Sequence, residues 1–232
     1  MRSYYPEFRD GAEAGLVPKL GGLPWGLPAR LWPVCRECHR PMSHLAQLPA
    51  DGEALPLASG EVLFLFKCEW DSVCSFWEHD GGANATFVVQ RADLAAGPTE
   101  RPTERPTDAT DGEPALLREI AITGWRADDD GAPAELEEAF YDYQTHSELP
   151  DEIAYPHDWA SAWRTKSGGV PYWTANGAQQ MPAGRLLLQI DNWVDLADGE
   201  TAEVANFCSD GTAYVFVDRS SIQPVYSMFI NR

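Results

Sequence analysis

A turn of unusual composition occurs twice in this chain, and each copy heads the same succession of segments. Lys19-Leu-Gly-Gly-Leu-Pro-Trp25 and Lys166-Ser-Gly-Gly-Val-Pro-Tyr-Trp173 both join two glycines, one further residue, a proline and an aromatic side chain. The proline forces the residue before it into extended geometry. The glycines are free to take positive φ or to let another backbone approach closely. Downstream, Pro41-Met-Ser-His-Leu-Ala-Gln-Leu48 and Pro182-Ala-Gly-Arg-Leu-Leu-Leu-Gln-Ile190 each run to a glutamine followed by an aliphatic residue. Gly60-Glu-Val-Leu-Phe-Leu-Phe66 and Asp210-Gly-Thr-Ala-Tyr-Val-Phe-Val217 then supply aromatic-rich strands opened by glycine. Three matching features in one order predict a duplication: two pseudo-repeated, sheet-based halves packed into one globular unit.

Branched and aromatic runs bounded by glycine or polar residues predict strands at Val62–Phe66, Phe87–Val89, Glu119–Thr123, Ala213–Val217 and Val225–Ile230. A helix is expected over 132–143. Pro133 suits its first turn, Glu135, Glu137 and Glu138 come early, and Leu136, Ala139, Phe140 and Tyr143 share a face. A shorter helix is expected over Pro156–Arg164. The class is α+β with β dominant. Between the halves, the repeat Gly97-Pro-Thr-Glu-Arg-Pro-Thr-Glu-Arg-Pro-Thr holds no apolar anchor, so its ordering entropy is unopposed. The expected organisation is a first repeat at 1–94, a linker or exposed loop at 95–113, and a second repeat at 114–232.

Lys and Arg number 17 against 36 Asp and Glu in 232 residues, a net charge of −19. Such a field repels phosphate backbones and anionic lipid, which argues against nucleic-acid and membrane partners and favours a basic protein. No apolar run approaches the ~20 residues needed to span a bilayer, and no secretory signal is visible at Met1, so a cytoplasmic location is expected.

Without an export signal, the five cysteines read as thiols or metal ligands rather than disulfides. Cys35-x-x-Cys38 brings two sulfurs close together, and Cys68 and Cys74 follow the strand Val62–Phe66, so these four compose a candidate structural zinc site. His39, His44 or His79 could replace one sulfur, since the Cys68–Cys74 spacing is not a standard knuckle. Cys35-Arg-Glu-Cys38-His39 is formally a haem-attachment pattern, but covalent haem requires export. A redox Cys-x-x-Cys normally opens a helix, and none is evident behind this one. No Gly-x-Ser-x-Gly, His-Glu-x-x-His, phosphate loop or Gly-x-Gly-x-x-Gly occurs in the chain.

The Gly-Gly-x-Pro turns, the Cys35-x-x-Cys38…Pro41-Met…Leu-Ala-Gln block and the later Leu-Leu-Leu-Gln-Ile-Asp…Asp-Gly-Thr-Ala-Tyr-Val-Phe-Val block resemble the bacterial YwqG-like proteins. That family is a duplicated domain of unknown function. The first half also resembles the amino-terminal region of the programmed cell death protein 2 family. The resemblance spans most of residues 17–70 and 150–220, and the central linker and acidic loops depart from it. It implies a duplicated fold, with Gly21, Gly22, Pro24, Gly168, Gly169 and Pro171 as structural turns. It puts forward Trp25, Trp173, Gln47 and Gln189 as binding residues. Eukaryotic relatives that look like ribosomal-protein chaperones, together with the missing catalytic motifs, favour a non-enzymatic protein-binding, chaperone or adaptor role. The alternative is an enzyme with an active site in the cleft between the repeats.

Overall fold

The strand-forming runs assemble into a ten-stranded sheet. This architecture comes from a computed structural model, which describes residues 1–70, 73–102, 116–162, 164–175, 181–208 and 211–231. The strands are β1 (Arg2–Asp10), β2 (Lys19–Leu20), β3 (Ser43–Pro49), β4 (Glu61–Lys67), β5 (Asn84–Gln90) and β6 (Ile120–Asp129). They continue with β7 (Lys166–Gly168), β8 (Arg185–Asp191), β9 (Trp193–Asp195), β10 (Thr201–Glu203), β11 (Thr212–Asp218) and β12 (Val225–Asn231). The order across the large sheet is β12-β11-β8-β7-β1-β6-β2-β3-β4-β5, with all neighbours antiparallel; β9 and β10 form a small second sheet. The two ends, β12 and β5, pack against each other, so the sheet nearly closes on itself. Closure leaves little exposed edge.

The centre of the order is the long β1–β6 pair. Outward from it, the short strand bearing each predicted turn comes first. β2 places Lys19 opposite Gln47, and β7 places Lys166 opposite Gln189. The main core runs through strands of both halves, with Leu45, Phe64, Phe66, Ile190 and Val215 fully buried. A second cluster joins Phe140, Trp173, Tyr214, Phe216 and Phe229 beneath the helices.

The helical region differs from the expectation. Instead of one helix over 132–143, a 3-10 turn at Ala134–Leu136 leads into α1 (Glu137–Tyr141), and α2 (Tyr143–Ser147) follows at once. Asp142 makes the break, because its carboxylate accepts the Thr145 amide at 2.7 Å and caps α2. The next helix, α3 (Asp151–Ser161), starts five residues before the expected Pro156, which lies inside it. Pro150 sets the entry, and Asp151 and Glu152 complement the first turn.

The segment expected as a linker opens in close contact with the first turn. Gly26 donates to Gly97 O at 2.8 Å, and Thr99 donates its amide to Pro24 O and its hydroxyl to Leu27 O, both at 2.7 Å. Backbone bonds anchor it where apolar side chains are lacking. Residues 103–113 of the expected linker lie outside the described residues.

Candidate metal centre and the paired turns

The four predicted cysteines converge. Cys35 and Cys38 sit on a tight loop closed by Cys35 N to Arg40 O at 2.9 Å and His39 N to Cys35 O at 3.0 Å. His39 takes φ +56° to make that turn. Cys68 leaves the end of β4 with its amide bonded to Ala83 O at 2.8 Å. Cys74 lies in the β4–β5 connection, which is tied to the first loop by the Ser75 amide donating to Glu37 Oε1 at 2.7 Å.

All four sulfurs lie within 4.8 Å of one another, and Cys38 Sγ is 3.6 Å from Cys68 Sγ. Zinc–sulfur bonds of ~2.3 Å in a tetrahedron require sulfurs about 3.8 Å apart, so the set is compatible with a structural zinc ion. Cys35, Cys68 and Cys74 are buried and Cys38 is half-buried. The thiol set needs no histidine: His44, weighed as a substitute ligand, instead bonds the carbonyls of Gly21 and Gly22 at 3.0 and 3.1 Å.

Burial pushes the Cys68 thiol up to about 12 and raises Cys74 as well. At Cys35, burial acts the same way but backbone hydrogen bonds from Cys38 and Glu37 outweigh it and lower the thiol. A bound cation would counter the cost of holding thiolates in such a place. The buried Lys67 lies at the same strand end, paired with Glu69 Oε1 at 2.7 Å, its ammonium 3.2 Å from Cys68 O and 3.9 Å from the Phe76 ring centroid.

Each of the paired turns sits over an ion pair, half-buried in the first and fully buried in the second. Gly21 and Gly22 have φ +62° and +61°, and Gly168 and Gly169 have +72° and +64°. Lys19 reaches Glu119 Oε2 at 2.5 Å beneath the first turn. Lys166 reaches Asp130 Oδ2 at 3.2 Å beneath the second. Glu119 and Asp130 immediately flank β6. The second site is the deeper one: Lys166 Nζ also donates to Ser161 Oγ at 2.8 Å, and Asp130 Oδ2 accepts from Ser3 Oγ at 3.2 Å and Val170 N at 3.0 Å.

Burial opposes ionisation of Asp130, but the Lys166 ammonium and the hydrogen bonds win and hold the carboxyl at about 2. Burial draws Lys166 down to about 8 against the attraction of Asp130. His157, fully buried beside them, is lowered to about 4 by burial and then by Lys166. Neither carboxylate was picked out from the sequence, although the lysine at the same place in both turns was a usable signal.

The four proposed binding residues turn out to fasten these turns from within. Gln47 and Gln189 are fully buried. Gln47 Oε1 accepts the Trp25 amide at 2.5 Å and its amide group donates to Val17 O at 2.9 Å. Gln189 Oε1 accepts the Tyr172 amide at 3.0 Å and its amide group donates to Arg164 O at 2.8 Å. Trp173 is buried against Tyr214 and Phe229, its indole donating to Phe140 O at 2.8 Å. Trp25 is half-buried, in a bridge with Pro98.

Among the described residues no helix is long and apolar enough to cross a membrane. The chain matches no known protein-family model and no curated protein. The resemblance to the YwqG-like and programmed cell death protein 2 families therefore rests on its motifs.

Proposed function

We propose that this protein is a non-enzymatic binding protein of the adaptor or chaperone kind, stabilised by structural zinc, built from two related halves and directed to a basic protein partner. The observation that carries the reading is the convergence of Cys35, Cys38, Cys68 and Cys74 within 4.8 Å, mostly out of solvent. Duplication is supported by the strand order, which runs β7-β8-β11-β12 to one side of the central pair and β2-β3-β4-β5 to the other. The Lys–Gln pairings and positive-φ glycines at corresponding places support it too. On this reading the chain is a YwqG-like protein.

A basic partner suits the net charge of −19. Partner contact is assigned to the outer face of α3 rather than to the buried turn residues. There Tyr155 and Trp159 stack at 6.2 Å while remaining 62% and 77% exposed, with Asp151 and Glu152 one turn away. Exposed aromatic side chains of this kind anchor interfaces. The test combines zinc and thiol titration with a pull-down of the purified protein and its Trp159→Ala variant. One equivalent of zinc, four protected thiols and a basic partner lost on Trp159→Ala are expected. Four freely reactive thiols without metal, or no partner across several lysates, would overturn the corresponding half of the proposal.

A further inference from the structure

The ladder between β1 and its neighbours on the β7 side is interrupted. β7 pairs with β1 only at Ser3 and Tyr4, and β1 next meets that side at Phe8, which bridges to Leu196. Between these points, among the described residues, β1 has no ladder partner there, and a cleft of about 590 Å³ opens. That volume lies in the range of small-ligand sites.

Its walls include Tyr5, Phe8, Arg126, Arg164, Asp191 and Trp193. The guanidinium carbons of Arg126 and Arg164 each lie 5.6 Å from the centre of the Tyr5 ring, so two cations converge on one side chain. Arg126 is paired with Asp128. Arg164 bonds only a backbone carbonyl, Ala160 O at 3.3 Å, and makes no ion pair among the described residues. Asp191 and Asp195 also line the cleft; Asp191 Oδ1 accepts the Trp193 amide at 3.0 Å and Asp195 Oδ1 the Thr201 hydroxyl at 3.2 Å. Trp193 remains 48% exposed at the cleft.

We infer that this cleft binds a carboxylate carried on an apolar, amide-bearing body. The planar guanidinium of Arg164 is suited to take the carboxylate in two parallel hydrogen bonds. Trp193 offers a face to an aromatic or aliphatic side chain, and the edge of β1 at Pro6, which has no N–H to donate, can offer a carbonyl oxygen to an amide N–H. An N-acyl amino acid and the C-terminus of a peptide share this chemistry. The inference goes beyond the zinc-stabilised binding role and does not depend on it.

Calorimetric titration with N-acetyl-phenylalanine, its carboxamide and acetyl-Ala-Ala-Phe tests the site on the full chain. The two carboxylates should bind saturably, and the carboxamide at least tenfold more weakly. Arg164→Gln, at an exposed side chain, should leave the melting temperature unchanged and weaken carboxylate binding at least tenfold, while Trp193→Ala should weaken it severalfold. Tighter binding of the tripeptide identifies a peptide C-terminus as the source, and equal binding identifies a small molecule. Absence of saturable binding at millimolar concentration, equal binding of acid and amide, or indifference to Arg164→Gln would overturn the inference. None of these failures would bear on the thiol titration that tests the zinc site.

Discussion

Alanine placed at the two adjacent glycines of the second turn should have very unequal effects. Gly168 and Gly169 both have positive φ, +72° and +64°, so either substitution incurs the left-handed penalty of about 1–2 kcal/mol. Their surroundings differ. A Cβ on Gly168 would meet nothing closer than Arg2 O at 3.5 Å. A Cβ on Gly169 would lie 2.0 Å from Asp130 Oδ2 and 2.2 Å from Ser3 Oγ, so the carboxylate must move off Lys166. Separating a buried pair costs roughly 3–5 kcal/mol, because each charge is left without compensation. Gly168→Ala should therefore cost about 1–2 kcal/mol and Gly169→Ala about 4–7 kcal/mol, a large share of the stability of an ordinary domain. Urea denaturation of both variants measures the difference directly. A double-mutant cycle adds the cause: in an Asp130→Ala background Gly169→Ala should lose most of its excess cost, since the carboxylate is gone and the Ser3 hydroxyl, released from it, can rotate aside. Equal costs for the two glycines, or full additivity with Asp130→Ala, would refute the account of the turn.

Chelation of zinc, or Cys38→Ser, should lower the melting temperature by about 10 °C, the equivalent of a few kcal/mol in a chain of this size, whereas Cys208→Ser should change it by no more than about 2 °C; hydrogen exchange unchanged in residues 30–80 after either treatment would show that the cysteines are thiols only. His44 and His157 are both held at about 4 against 6.5, so the unfolded chain binds the extra protons first. Their contribution is complete above about pH 6.5 and is lost as pH falls toward 4, at about 3 kcal/mol each by the conversion of 1.36 kcal/mol per unit. Asp130 adds to the loss only below about pH 4. A denaturation series from pH 7 to 4 that shows flat stability would contradict this. Gln189→Leu should cost about 2–3 kcal/mol by stranding the Tyr172 amide and the Arg164 carbonyl, and Gln47→Leu a similar amount at the Trp25 amide, as read by chemical denaturation. A neutral result at either would remove the glutamine from its fastening role.

Local physics made part of this protein legible in its amino acids. Pro24 and Pro171 restrict the residue before them, and paired glycines tolerate left-handed backbone, so both turns could be read without knowing what surrounds them. β4 and β11 are dense in branched and aromatic residues because both faces are covered, and such runs need no distant information. Cys35 and Cys38 announced themselves by a spacing that a single loop enforces. Other features depend on chain segments that only the sheet brings together. Cys68 and Cys74 complete the thiol cluster because the β4–β5 connection folds back against the first loop at Ser75 and Glu37. The carboxylates opposite Lys19 and Lys166 come from the two ends of β6, about 100 and 36 residues away in the chain. Those pairings exist because β6 lies between β1 and β2 at the centre of the sheet. The burial of Gln47, Gln189 and Trp173 likewise followed from sheet closure, which turned residues that looked available for binding into internal fasteners. Asp142 could have continued a helix by periodicity alone, but as a cap it satisfied the Thr145 amide and ended one helix to begin another. The cleft beside β1 lies off the start of β7, because the chain arriving from α3 pairs with β1 only at Ser167 and Gly168 and leaves the next residues of β1 without a partner on that side. Turns and strands follow from short-range sterics and side-chain shape, whereas ion pairs, thiol clusters and clefts depend on which distant segments the closed sheet makes neighbours.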